Sequence, residues 1–126
     1  MEMKELTKAE EQVMQIMWRI KKGFVNDILI GFPDPKPAYN TVSTIVRILE
    51  RKGFVKHKEY GKNHEYYPVV KKEVYTKSLV GGLMKNYFND SLKQFVSFFA
   101  NDNSLTISEI EEISKIIEKE KSKIIK

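Results

Sequence analysis

The stretch YNTVSTIVRILERKGFVKH, residues 39 to 57, sets regularly spaced aliphatics against hydroxyls, an amide and two arginines, then meets a glycine. At 100° per residue, Val42, Ile45, Val46 and Leu49 fall within an arc of about 100°, the width of a core-facing helical stripe. Asn40, Thr44, Arg47 and Arg51 fall within about 60° of one another on the opposite side, with Ser43 beside them. The spacing therefore predicts a helix that starts near Ala38 to Thr41 and ends at Gly53, a residue whose permissive backbone suits the position after a helix. An ordinary solvated helix face would carry Glu and Lys for their propensity rather than Asn, Ser and Thr. Arginine pairs bidentately with guanine, asparagine with adenine, and hydroxyls with phosphate or base edges, so this row has the chemistry of a helix in a DNA major groove.

The chain on either side supports that reading. LTKAEEQVMQIMWRIKKG has the capping-box form, Thr7 with Glu10 three residues on, followed by Ala9, Val13, Ile16, Met17 and Ile20 at helical spacing. One amphipathic helix over about 8 to 22 is expected, closed by Lys21, Lys22 and Gly23, with Trp18 and the methionines assigned to packing. A short second helix around Asp27 to Ile30 and a stiff loop with three prolines come next. After Gly53, FVKHKEY and HEYYPVV are rich in aromatic and β-branched residues, and the intervening GKN predicts a hairpin. Its tip, with Lys62 and Asn63, suits a phosphate backbone, and Lys56 and Lys58 add charge along the strand. Helix, short helix, helix and basic hairpin describe a winged helix-turn-helix that binds double-stranded DNA.

Charge placement agrees. The net charge is only +5, yet residues 36 to 72 hold nine Lys/Arg against three acids, +6, which leaves −1 for the rest. The absence of cysteine removes disulfides, thiolate zinc sites, iron-sulfur clusters and thiol nucleophiles. His57 and His64 are expected on facing strands, paired with each other or turned to phosphate; with only Glu59 or Glu65 as a third ligand they are not read as a metal site, and no cofactor is expected. No serine-histidine-aspartate set and no phosphate-binding glycine loop suggests an enzyme. No apolar run approaches the roughly 18 residues that span a bilayer, and a soluble, cytoplasmic protein is expected.

Beyond residue 70 the character changes. Leu79, Leu83, Phe88, Leu92, Phe95, Val96 and Phe99 load a short segment with large apolar side chains, and Gly81-Gly82 is expected to break or bend its helix. A second capping box, Thr106 with Glu109, opens an amphipathic helix that carries Ile110, Ile113 and Ile117. Such apolar helices on a small basic domain are best explained by a homodimer, so the chain divides into a DNA-binding domain, 1–72, and a helical dimerisation domain, 73–126. The fold class is thus mainly α with a small β-hairpin wing and a C-terminal helical dimerisation segment.

Taken together, LTKAEEQVMQIMW, YNTVSTIVRILERKGFV, YYPVV and LKQFVSFFANDNSLTISEIEEISKII resemble the BlaI/MecI/CopY family of penicillinase and copper-operon repressors over nearly the whole chain. The resemblance implies a homodimeric repressor on a palindromic operator, with DNA-reading positions at Thr41, Ser43, Thr44, Arg47, Lys62 and Asn63; the helical wheel adds Asn40 and Arg51. Two departures stand out. Members that answer β-lactams are inactivated when a membrane sensor-protease, or a process it triggers, cuts an Asn-Phe bond, and Phe98-Phe99 stands in the corresponding place. The resemblance thus implies a sensor-protease partner while the bond it acts on is replaced. Copper-responsive members carry C-terminal cysteine pairs, and this chain has none. Two rival readings are a ligand-responsive repressor of another winged-helix family, its effector held in the phenylalanine-rich interface, and a winged-helix protein-protein module using Tyr66-Tyr67.

Overall fold

The computed structural model describes residues 5–125. Six helices and one hairpin follow in the order α1 (Lys8–Ile20), α2 (Val25–Ile30), α3 (Tyr39–Arg51), β1 (Val55–Tyr60), β2 (Asn63–Pro68), α4 (Lys72–Phe88), α5 (Leu92–Asn101) and α6 (Ile107–Ile125). The chain forms two compact units, residues 1–80 and 81–126.

In the first unit, α1 opens with the predicted capping box. Thr7 Oγ1 accepts from the Glu10 amide at 3.2 Å, and Glu10 Oε1 accepts from the Thr7 amide at 3.0 Å, which satisfies two of the donors a helix start leaves free. The helix ends earlier than its pattern suggested, at Ile20, where Lys21 turns to φ +73. Gly23 has a different role from the helix-end signal assigned to it. It exchanges two backbone hydrogen bonds with Tyr66, at 2.9 and 2.8 Å, and so adds a bridge to the hairpin. A Cβ there would lie 2.9 Å from both Asp27 Cβ and Ile20 Cδ1, so only glycine fits this approach without a shift. At α2, Asp27 Oδ2 accepts from the Phe24 amide at 2.9 Å and steadies the first turn.

Val13, Met14 and Met17 of α1, Ile28 of α2, and Val42, Val46 and Leu49 of α3 meet with Val55 in a core where each is fully buried. Ile16 and Tyr66 join them, whereas Ala9, assigned to the same face of α1, is exposed. Burial of such side chains contributes roughly 1.5–3 kcal/mol each. Trp18 packs as expected, its ring 6.0 Å from that of Tyr75 and its Nε1 donating to the Val70 carbonyl at 2.9 Å. The helix α3 ends as its sequence predicts: Lys52 is the C-cap, and Gly53 takes φ +86. The hairpin pairs β1 and β2 antiparallel, with Val55 opposite Pro68, His57 opposite Tyr66, Lys58 opposite Glu65 and Glu59 opposite His64; Gly61 turns the corner at φ +62.

A buried ion pair ties α1 to the end of α3. Lys52 Nζ lies 2.6 Å from Glu10 Oε1, and Glu10 is 5% exposed. Burial alone would push the Glu10 carboxyl up; the Lys52 ammonium and the Thr7 amide and hydroxyl outweigh it and hold the group below its ordinary value.

The expected break at Gly81-Gly82 does not occur, since α4 is continuous from Lys72 to Phe88. A helical glycine costs about 1 kcal/mol relative to alanine, and good helix formers on both sides, Leu79 and Leu83 to Lys85, carry the ladder through. The helix stops instead at Asn89 and Asp90, at φ +52 and +59, residue types that tolerate the left-handed region. In the second unit, Ser91 Oγ accepts from the Gln94 amide at 3.1 Å and caps α5. Thr106 and Glu109 form the predicted reciprocal cap of α6, both bonds at 3.1 Å. Phe88, Phe95, Phe98 and Phe99 form a chain of edge-to-face contacts with ring centroids 5.1 to 5.7 Å apart. Among the described residues of this unit no side chain is buried, and Leu83, Leu92, Val96, Phe98, Phe99, Ile110 and Ile117 are all exposed. Among the described residues no helix is long and apolar enough to cross a membrane.

Candidate nucleic-acid interface

The wheel drawn from the sequence holds in three dimensions. Val42, Val46 and Leu49 are fully buried, and Asn40, Thr41, Thr44, Arg47 and Arg51 are exposed, with Ser43 half-buried at the margin. Within the row the side chains are already linked. Thr44 Oγ1 donates to the Asn40 carbonyl at 2.9 Å, Arg47 Nη2 donates to Thr44 Oγ1 at 3.4 Å, and Arg47 Nε donates to the Ser43 carbonyl at 3.4 Å. The two arginine bonds are long and exposed, so the guanidinium lies along the helix at little energetic cost to its release. Ala38, as N-cap, makes no side-chain hydrogen bond to the helix start. The first-turn amides of α3 therefore keep donors for an anion.

Beside this row the hairpin closes a recess of about 460 Å³. Ser43 and Arg47 line it from α3, Lys62, Asn63 and His64 from the wing, and Tyr39, Asn26 and Asp27 from the entry to α3 and from α2. Four of the residues singled out from sequence, Ser43, Arg47, Lys62 and Asn63, thus share one concavity. Thr44, Arg47 and Arg51, with Glu50, line a second depression further along α3. Lys56 and Lys58 are exposed but alternate to the hairpin face that carries Tyr67 and Glu65. The other face, with His57 and Tyr66, is the one that meets α3 through Glu50, so the structure does not gather these two lysines with the helical row. Lys52, one of the cations of the basic region, is held by Glu10.

Sequence reasoning missed Tyr39 and Glu50. Tyr39, at the first position of α3, is 49% exposed and lines the recess, a place its aromatic character did not reveal. Glu50 counted only as an acid, yet its carboxylate accepts from His57 Nδ1 at 2.7 and 2.9 Å and fixes the wing against α3. His57 and His64 do pair across the strands, with rings stacked at 4.1 Å and 7°. Burial, and then the Glu50 carboxylate, push the Tyr66 phenol above its ordinary value, which keeps it protonated beside the recess.

Three helices closed by a hairpin, with an exposed polar helix face beside the hairpin tip, define the winged helix-turn-helix class. Residues 6–119 match the model of the penicillinase repressor family, and the chain belongs to that family of transcriptional repressors. It is 30% identical over 120 residues to the methicillin resistance regulatory protein MecI of Staphylococcus aureus strain N315, spanning 91% of this chain and 94% of that protein. The penicillinase repressor of Bacillus licheniformis is 22% identical over 120 residues, 94% of each chain. Among solved structures, the solution structure of the DNA-binding domain of the repressor BlaI superposes with a TM-score of 0.51 and 22% identity, covering 60% of this chain and 94% of that domain.

Proposed function

We propose that this chain is a homodimeric repressor that binds a palindromic operator and blocks transcription by occupancy. Two protomers place two α3 helices in successive major grooves, about 34 Å apart, and exclude polymerase. Asn40, Thr41, Ser43, Thr44, Arg47 and Arg51 face the bases and adjoining phosphates. Lys62 and Asn63 at the wing tip hold the backbone, and Lys56 and Lys58 add charge on the outer strand face. Residues 73–126 form the dimerisation domain, with Leu79, Leu83, Phe88, Leu92, Phe95, Val96 and Phe99 from α4 and α5 and Ile110, Ile113 and Ile117 from α6 against the second copy.

The observation that carries the reading is the shared recess of Ser43, Arg47, Lys62 and Asn63. It puts Arg47 and Lys62, from two separate elements, on one concave face, which supports contact with a base edge and a neighbouring phosphate of one duplex. The uncovered apolar side chains of α5 and α6 support the dimer, because about 800 Å² per partner suffices for a stable interface. The exposed row of asparagine, threonine and arginine favours DNA over a protein-protein module, because these residue types pair with bases and phosphates.

The two DNA-contacting roles separate in one experiment. Arg47→Ala is expected to cost about 1–3 kcal/mol on operator DNA and little on random DNA, measured by fluorescence anisotropy at fixed salt. Lys62→Ala is expected to weaken both alike and to lower the salt slope by about 1. Equal losses for Arg47→Ala on operator and random DNA would remove the base-reading role.

A further inference from the structure

The inner face of the wing carries a group of donors to which the proposed DNA contacts give no role. His57 and Glu59 stand two apart on β1 and so project to one side, and His64 lies directly opposite Glu59 in the register. One donor atom from each lies within 4.8 Å of the others. Glu59 Oε1 is 3.9 Å from His57 Nε2 and 4.0 Å from His64 Nε2.

We propose that this face binds one divalent transition-metal ion, with zinc as the type, between His57 Nε2, His64 Nε2 and a Glu59 carboxylate oxygen. A tetrahedral ion with bonds of about 2.0–2.2 Å needs ligand atoms roughly 3.3–3.5 Å apart. The two carboxylate-to-imidazole gaps close by roughly 0.4–0.7 Å, and one of the two rings, stacked at 7°, turns out of parallel so that both Nε2 lone pairs converge on the ion. Glu59 is 71% exposed and His64 40% exposed, so both side chains have room to turn inward. Two imidazoles and a carboxylate suit zinc, nickel or copper, and three protein ligands leave a position for water.

A second observation comes from another element. Glu50 on α3 accepts from His57 Nδ1 at 2.7 and 2.9 Å. A carboxylate oxygen only accepts, so Nδ1 carries the hydrogen, and in the neutral ring the lone pair then sits on Nε2, the atom 3.9 Å from the Glu59 carboxylate. This carboxylate-histidine pair is the support that metal-ligating histidines ordinarily have. The sequence offered no ion here because it supplied only a possible third ligand; the fold supplies that ligand in register together with the orienting carboxylate. A bound ion joins β1 to β2 and, through Glu50, braces the wing against α3, adding positive charge next to Lys62 and Asn63.

The test uses the full chain without an affinity tag and without DNA, so its outcome does not depend on the repressor reading. Calorimetric titration with zinc chloride in a non-chelating buffer near neutral pH is expected to show one saturable ion per protomer. His64→Ala, at a half-buried position, and Glu59→Gln, at an exposed one, are expected to lower the affinity by at least about 10-fold, and Glu50→Gln by about 10-fold with binding retained. Nitrogen NMR of the imidazoles should show both Nε2 signals move on zinc addition while the helical amides stay in place. No saturable binding, or binding that His64→Ala and Glu59→Gln leave unchanged, would overturn the proposal.

Discussion

Leu49 and Phe99 are both large apolar residues on amphipathic helices, and their surroundings are opposite: Leu49 is fully buried, Phe99 is 37% exposed. The difference extends to the units they belong to. In the first unit α1, α2, α3 and the hairpin enclose a common core, while in α5 and α6 no side chain is buried. Both units have well-formed helix starts, at Thr7, Ser91 and Thr106, so local signals do not separate them. What separates them is whether the unit itself provides the second surface. The first unit has a core and presents a polar face; the second is a set of formed helices that leave their apolar side chains exposed, which under the proposed function a second copy covers.

A pair of substitutions tests this contrast most strongly. Phe99→Glu places a charge in the proposed dimer interface and is expected to raise the dimer dissociation constant by at least about 100-fold, read by sedimentation equilibrium, because an unpaired charge is costly to bury. Urea unfolding of the first unit should be unchanged. Leu49→Ala should do the reverse, costing about 3 kcal/mol of unfolding free energy through a core cavity while the dimer constant holds. If Phe99→Glu left the association unchanged, the second unit would have some other use for its apolar face.

Smaller effects sharpen the account of the closed unit. Lys52→Met leaves the Glu10 carboxylate buried without its cation and should cost about 2 kcal/mol near neutral pH. Since the folded-state value of Glu10 is depressed, its contribution is present above the ordinary carboxylate value and lost as pH falls through the lower folded value. Urea midpoints of the two proteins should therefore converge on acidification below about pH 4. A gap that stayed constant down to pH 2 would assign the Lys52 effect to packing.

Much of this was legible in the sequence because it is local. The α3 wheel needs only the 3.6-residue period, the capping boxes at Thr7 and Thr106 need only a three-residue spacing, and the hairpin needs only β-formers around GKN. What stayed hidden depends on distant chain segments meeting. The Lys52–Glu10 pair joins residues 42 apart, Gly23 finds Tyr66 across the hairpin, and Glu50 reaches His57 only once the chain has turned at Gly53. The uninterrupted α4 shows the opposite error, in which a local signal, Gly81-Gly82, was given more weight than its cost of about 1 kcal/mol per glycine allows. In the interface the helical row was readable from its composition, whereas the recess that unites it with the wing tip, and the place of Tyr39 in it, needed the fold.

The central claim, a dimer reading an operator through two α3 helices, is tested most directly by protection of the DNA upstream of the protein's own gene, titrated with the full chain across salt. If each protomer neutralises about four phosphates, log affinity should fall with log salt at a slope near −7. The account predicts a symmetric footprint over about two helical turns that fades with that steepness. Absence of a footprint, with only weak binding to random DNA that changes little with salt, would contradict it.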